Sequence, residues 1–207
     1  MAKARPITGL DPQTPTGENA RLIASVRLDE MYAWEPYVHD PCSIQELHNL
    51  RIAAKRLRYT LEVFEDVLPE ACVPIVAEVT QIQEELGAIH DSDVMIALLR
   101  LCLVEQGNAM HNGHNDDTGT THRQSQMKED SLVRPALATI LLDPAVIPTF
   151  EELRGLRSLL LKQQHLRERQ FATFYKHWNR LQKRDFRHEV LDILHMPASS
   201  PVEVKGL

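Results

Sequence analysis

The sequence predicts an all-α fold, an antiparallel bundle of long helices, and two observations carry that reading. Aromatic residues are scarce at 5% and glycine supplies only 8 of the 207 residues, while long runs of Leu, Ala, Glu, Gln and Arg favour helix over sheet. Apolar residues also recur three and four positions apart over long segments, the spacing that gathers them on one face of a helix. With 43% hydrophobic residues the chain can bury a real core, and its length suits one domain with tails.

Residues 1–18, with three prolines, two glycines and no periodicity, are expected to be a disordered arm. A first helix is predicted from about Asn19 to Trp34, with Leu22, Val26 and Leu28 among its apolar positions. Pro36 and Pro41 bracket a turn. Ser43 then offers an N-cap with Glu46 three residues on, a capping-box pattern, and opens a second helix that runs to about Leu68 before Pro69. Its apolar face is Leu47, Leu50, Ala54, Leu57, Leu61, Phe64 and Leu68. A third helical stretch, about Ala71 to Gln106, carries Ile75, Val79, Ile82, Leu86, Val94, Leu98 and Leu101, with a break expected near Gly87 and Asp91–Asp93. The Asn-, Gly-, Asp- and Thr-rich stretch 107–130 reads as a long mobile loop. Residues 131–148 are expected to form a short helix and connector. A long helix follows, from about Thr149 to Lys183, with Leu153, Leu156, Leu160, Phe171, Phe174, Trp178 and Leu181 as its core face. A short helix ends near Leu194, and residues 196–207 are expected to be a disordered tail.

No apolar run reaches the roughly 18 residues of a membrane span, and the N-terminal residues lack an apolar core of signal-peptide length. The three cysteines, Cys42, Cys72 and Cys102, are scattered and odd in number, with neither metal-site nor disulfide spacing, so a cytoplasmic location is expected. The net charge of −6 hides a strong sorting along the chain. Residues 62–145 hold fifteen Asp and Glu against four Lys and Arg, whereas residues 149–188 hold ten Lys and Arg against four acids. An acidic total therefore does not exclude an anionic ligand.

Two columns of cations stand out when residues are placed about 100° apart. On the second helix His48, Arg51, Lys55 and Arg58 form one column at the shoulder of the core face, with Tyr59 beside it and Arg56 pointing elsewhere. Like charges stacked at these spacings repel, and Glu46 and Glu62 lie only at the ends of the column, so an external polyanion would relieve the strain. On the C-terminal helix Arg154, His165, Arg169, Lys176, Arg180, Lys183 and Arg187 form a second column, nearly opposite its core face. The plainer alternatives are a solvated helix face for the second column and ion pairs with the acidic third helix for the first. Exposed pairs of that kind stabilise little.

Catalytic signals are weak. There is no nucleophile elbow, phosphate-binding glycine loop or zinc-protease motif. His111, His114, Asp116 and Asp117 could in principle hold a metal, but they sit in the loop, where a solvated segment is the expectation. His90–Asp91 is read as structural, with Asp91 capping a helix or holding an arginine. His39, His177, His188 and His195 are read as surface or boundary residues. No catalytic residue, metal or cofactor is expected.

The segments LHNLRIAAKRLRYTLEVF and QIQEELGAIHDSDVMIALL resemble the conserved histidine α-helical domain, CHAD. His48, Arg51, Lys55, Arg56, Arg58 and Tyr59 match the first part of its pattern, and Leu86, Gly87, Asp91 and Val94 the second, a Leu-Gly turn followed by an Asp. The closing segment FATFYKHWNRLQKRDFRHEVLDIL is also similar, so the resemblance spans residues 19–195. It implies a helical bundle that binds inorganic polyphosphate and is not an enzyme. The implied contacts are His48, Arg51, Lys55 and Arg58 first, extended by Arg56 and by Arg169, Lys176, Arg180, Lys183 and Arg187. Tyr59 would hydrogen-bond an arginine or a phosphate oxygen, and His48 would bind best protonated, so that affinity rises toward pH ~6. Full domains of the family have two related halves, and this chain resembles mainly the C-terminal half. A homodimer that restores the two-bundle arrangement is therefore expected, along with association with polyphosphate granules. The rival reading is a scaffold that binds RNA or an acidic protein through the same surface. Nucleic acid is disfavoured because few aromatics accompany the cations. A phosphoanhydride hydrolase would need carboxylates grouped for a metal beside the basic track.

Overall fold

Residues 3–111 and 149–196 are described by a computed structural model. Their regular structure is helical, without strands: α1 (Thr16–Tyr32), α2 (Ile44–Val63), α3 (Val73–His111), α4 (Phe150–Lys183) and α5 (Phe186–His195), with 3-10 turns at Glu35–Tyr37, Glu65–Val67 and Glu70–Cys72. The all-α expectation is met. The chain divides into two compact units, Met1–Gly87 with Phe171–Leu207 and Ala88–Gln170, so α3 and α4 each contribute to both. The expected short helix at 131–148, the loop residues beyond 111 and the tail beyond 196 lie outside the described residues.

In the first unit α1 brings Ala20, Ala24, Leu28 and Met31 to the core, and α2 brings Leu47, Leu50, Ala54, Leu57 and Leu61. Small residues on α1 let the two helices approach closely. Ile75, Val79, Ile82 and Leu86 of α3, Phe174, Trp178 and Leu181 of α4, and Phe186, Val190 and Leu194 of α5 complete the core. Each large apolar side chain buried here stabilises the fold by about 1.5–3 kcal/mol before entropy is counted. Gly17 starts α1 against the turn at Glu65–Val67. A Cβ there would stand 3.0 Å from the carbonyl oxygen of Val67, so the backbone would have to give by a few tenths of an ångström.

In the second unit the core face of α3 is Ile89, Ile96 and Leu99. The expected face of Val94, Leu98 and Leu101 is only half-buried. No break occurs at Gly87 or Asp91–Asp93, and the Leu-Gly turn implied by the resemblance is absent, because α3 is continuous. The polar residues that suggested a break are satisfied by α4 instead. Ser92 Oγ donates to Gln170 Oε1 (2.7 Å) and accepts from Gln163 Nε2 (2.9 Å), and Arg167 Nε donates to Asp93 Oδ1 (2.8 Å). Asp93 is thus the acid that holds an arginine, while Asp91 is exposed.

Several boundaries also move. α2 ends at Val63 rather than near Leu68, and the chain reaches α3 through the two 3-10 turns. The Ser43–Glu46 capping box does not form; Ser43 Oγ donates to Asp40 Oδ2 (3.0 Å). A capping box forms instead at Thr149, whose N–H donates to Glu152 Oε2 (2.7 Å) while the N–H of Glu152 donates back to Thr149 Oγ1 (3.3 Å). Leu153, Leu156, Leu160 and Phe171 of α4 are half-buried rather than core. The loop residues 107–111 continue α3. Residues 3–15 have no helix, but Asn19 Nδ2 donates to the Asp11 carbonyl (2.8 Å) and Arg27 Nη1 to the Arg5 carbonyl (3.1 Å), which tie them to α1.

Candidate functional site

The α2 column sits at the shoulder of the core face. His48, Arg51 and Arg58 are half-buried, and Lys55 and Tyr59 are exposed. The ring of Tyr59 is a platform for two cations, with Arg58 Cζ 4.7 Å and Lys55 Nζ 5.4 Å from its centroid. Arg58 also reaches Glu62 one turn on, at 3.3 Å. Arg51 and Lys55 make no ion pair among the described residues. Among the described residues Arg51 Nε is buried without a hydrogen-bond partner, and it lies against Gly87 of α3. Arg56 points away from the column, as its helical position requires, and joins Arg27 in gripping Glu30 of α1. Arg27 Nη1 donates to Glu30 Oε2 at 2.8 Å, Arg56 Nη1 to Oε1, and Glu30 is only 4% exposed.

The alternative reading of the α2 column, ion pairs with the acids of α3, is not what Glu78 and Glu85 make. Both turn to α4. Glu78 accepts from His177 Nε2 (2.9 Å) and from Arg184 Nη1 (3.0 Å), with Arg180 3.6 Å away. Glu85 meets His177 Nδ1 at 2.8 Å. Burial pushes the pKa of Glu78 up, but the His177 hydrogen bond and the charges of Arg184 and Arg180 more than offset it and hold the carboxyl below the usual carboxylate range.

Beside this cluster lies a groove of about 750 Å³, lined by Lys176, Arg180 and Lys183 of α4 and by Gln81 and Glu85 of α3. The second column thus partly assembles at one place. Arg154, His165 and Arg169 fall in the second unit. Arg187 does not continue the column: the chain turns at Asp185, which adopts a left-handed conformation (φ 53°), and Arg187 lies on α5. There it pairs with Asp29 at 2.7 Å and covers the ring of Tyr32. The two cation clusters also flank α3 on different sides. At about 100° per residue, Gly87, which meets Arg51, is roughly 160–180° around the helix from Glu78 and Glu85, which meet α4.

His177, expected as a surface or boundary residue, is buried. Its position was legible: Phe174, His177, Trp178 and Leu181 follow the three-four spacing of the core face. Glu30 lies three residues from Arg27, a spacing that pairs side chains on a helix and so marks the ion pair in the sequence. Glu78 and Glu85 are two turns apart on one face of α3, but nothing on α3 itself signals a histidine between them. Among the described residues no group of His, Cys, Asp and Glu could hold a metal. His114, Asp116, Asp117 and the side chain of His111 lie outside them. No described helix is long and apolar enough to cross a membrane.

The family model of the CHAD domain matches residues 13–100, which include the whole of α2 and the α3 segment against which Arg51 lies. Residues 13–100 are similar to the CHAD domain. CHAD domains are linked in general to polyphosphate binding. The match leaves α4 and α5 outside it, so the groove cations stand beyond the matched CHAD segment. No curated protein and no solved structure is significantly similar to the chain.

Proposed function

We propose that the protein binds inorganic polyphosphate through the α2 column, His48, Arg51, Lys55 and Arg58, without turning it over. The observation that carries this is the state of Arg51 and Lys55. They lie one turn apart on the CHAD-matched helix, they have no carboxylate partner among the described residues, and among these Arg51 keeps a buried donor unsatisfied. A buried donor without a partner is costly, and a phosphate oxygen would satisfy it. Arginine offers paired donors and lysine a mobile point charge, which together suit a flexible chain of phosphates. Lys176, Arg180 and Lys183 form a second contact region, which a long polyanion reaches by passing around α3.

Two further parts of the reading follow. One copy of the basic motif per chain makes a second copy the natural partner, and a monomer in light scattering well above working concentration would sink that part. A polyphosphate ligand also places the protein in the cytoplasm at polyphosphate granules. The deciding experiment is binding of labelled long-chain polyphosphate to wild type and to Arg51→Glu/Lys55→Glu over a range of salt. Tight binding that weakens steeply with salt and is lost in the double variant supports the reading. Unchanged binding in the variant removes α2 from the site. Phosphate release during incubation with magnesium would replace a binding module by a hydrolase.

A further inference from the structure

Among the described residues His177 is the one buried histidine, and it has a carboxylate at each ring nitrogen. A neutral imidazole donates from one nitrogen only. Two ionised acceptors, at 2.8 and 2.9 Å, are both satisfied only when both nitrogens carry a proton. A ring that carries a proton on both nitrogens donates to both carboxylates at once. The cluster then consists of one imidazolium against two carboxylates, with Arg180 and Arg184 also facing Glu78. Glu85 shares the groove with Lys176, Arg180 and Lys183, and Arg184 is shared with Glu189 of α5.

We infer that His177 is a positioning residue for the groove: its imidazolium neutralises Glu78 and Glu85 beside the cations, so that the groove's affinity for an anion falls when the ring loses its proton. The inference rests on the polyphosphate reading. The sign follows from the charges. With the proton in place the groove presents its lysines and arginine against a compensated acid. Without it, Glu85 faces the same space uncompensated and repels phosphate. The pH dependence therefore has a source on α4 that is separate from His48 on α2.

The test is binding of long-chain polyphosphate to the full chain between about pH 6 and pH 8. The proteins are wild type, His177→Gln, His177→Gln/Glu85→Gln and His48→Gln, with helicity checked by circular dichroism. Wild type is expected to weaken by roughly fivefold to tenfold over that range. His177→Gln is expected to bind weakly already at the acid end, with a flatter profile, and Glu85→Gln is expected to restore its affinity. His48→Gln should keep a pH slope. A purely structural role for His177 would give no rescue by Glu85→Gln. If His177→Gln does not fold, ¹⁵N spectra of the wild-type histidines decide: both ring nitrogens of His177 should be protonated at the acid end and lose a proton over the pH interval in which affinity falls. A pH profile indifferent to His177, or a ring that titrates without a change in affinity, overturns this inference alone. Wild type that binds no polyphosphate at any pH overturns the functional reading and this inference with it.

Discussion

The guanidinium of Arg51 on α2 lies against Gly87 of α3, where a Cβ would stand 3.5 Å from Nε. That separation is an ordinary van der Waals contact, so the glycine is not forced by space, and its place in the middle of a continuous helix costs backbone entropy. Gly87→Ala is expected to stabilise the protein by about 0.5–1 kcal/mol, read as a rise of roughly 2–4 °C in Tm, with polyphosphate binding retained. Gly87→Leu should push Arg51 from its place and weaken binding. A fall in Tm for the alanine variant would mean that α3 needs glycine at this point, as the Leu-Gly turn of the resemblance implied.

Arg56 tests whether a cation in the basic motif serves the ligand or the fold. It shares the buried Glu30 with Arg27, and removing one partner of such a cluster leaves charge uncompensated. Arg56→Gln is expected to cost about 1–3 kcal/mol in thermal or urea unfolding. The folded variant should bind polyphosphate as wild type does. Glu30→Gln should cost more, about 3 kcal/mol, because it removes the carboxylate that both arginines share. Loss of polyphosphate affinity in folded Arg56→Gln, equal to that of Lys55→Gln, would return Arg56 to the ligand site.

Most of the helices were legible because their signal is local. Leu47, Leu50, Ala54, Leu57 and Leu61 mark α2 by spacing alone, and the same count puts His48, Arg51, Lys55 and Arg58 at its shoulder and Arg56 away from them. What failed was whatever depends on a second element. Ser92 and Asp93 look like helix breakers until Gln163, Arg167 and Gln170 of α4 satisfy them. Ser43 looks like a cap until Asp40 takes its hydroxyl. The 100° count carried the second column past Lys183 because nothing in that count shows the left-handed turn at Asp185 that takes Arg187 onto α5. His177 was readable as core from its neighbours, but its two carboxylates lie 92 and 99 residues away in sequence.

Glu78 gives an acid-stability prediction with a definite sign. Its carboxyl is held below the usual carboxylate range in the folded chain, so folding binds fewer protons there than unfolding does. The stabilisation is fully present above the unfolded value and is lost as pH falls through the folded one. Unfolding free energy measured from neutral pH down through the carboxylate range should therefore fall in wild type, and the fall should be shallower in Glu78→Gln. At neutral pH the same variant should be less stable by about 1–2 kcal/mol, since the cluster is only partly screened from solvent. Parallel acid limbs for the two proteins would show that other carboxylates set the acid limit.

The second unit allows neighbouring acids to be separated by a single measurement. Asp93 is 5% exposed and its carboxylate accepts from Arg167, itself 9% exposed, whereas Asp91 stands at the surface two residues away. A buried ion pair adds little beyond an apolar pair of the same shape, but breaking it from one side leaves a buried guanidinium short of its acceptor. Asp93→Ala is accordingly expected to cost about 3 kcal/mol. Asp91→Ala should stay within about 0.5 kcal/mol of wild type. The two should separate in urea titrations followed by helical circular dichroism. A double variant, Asp93→Ala/Arg167→Leu, should recover part of the loss, because it removes the stranded charge and leaves apolar surface against Ile89 and Ile96 of the same unit. If Asp91→Ala proves as damaging as Asp93→Ala, the acid that matters to α3 acts at the helix surface, and the pairing with α4 is not what keeps the helix continuous there.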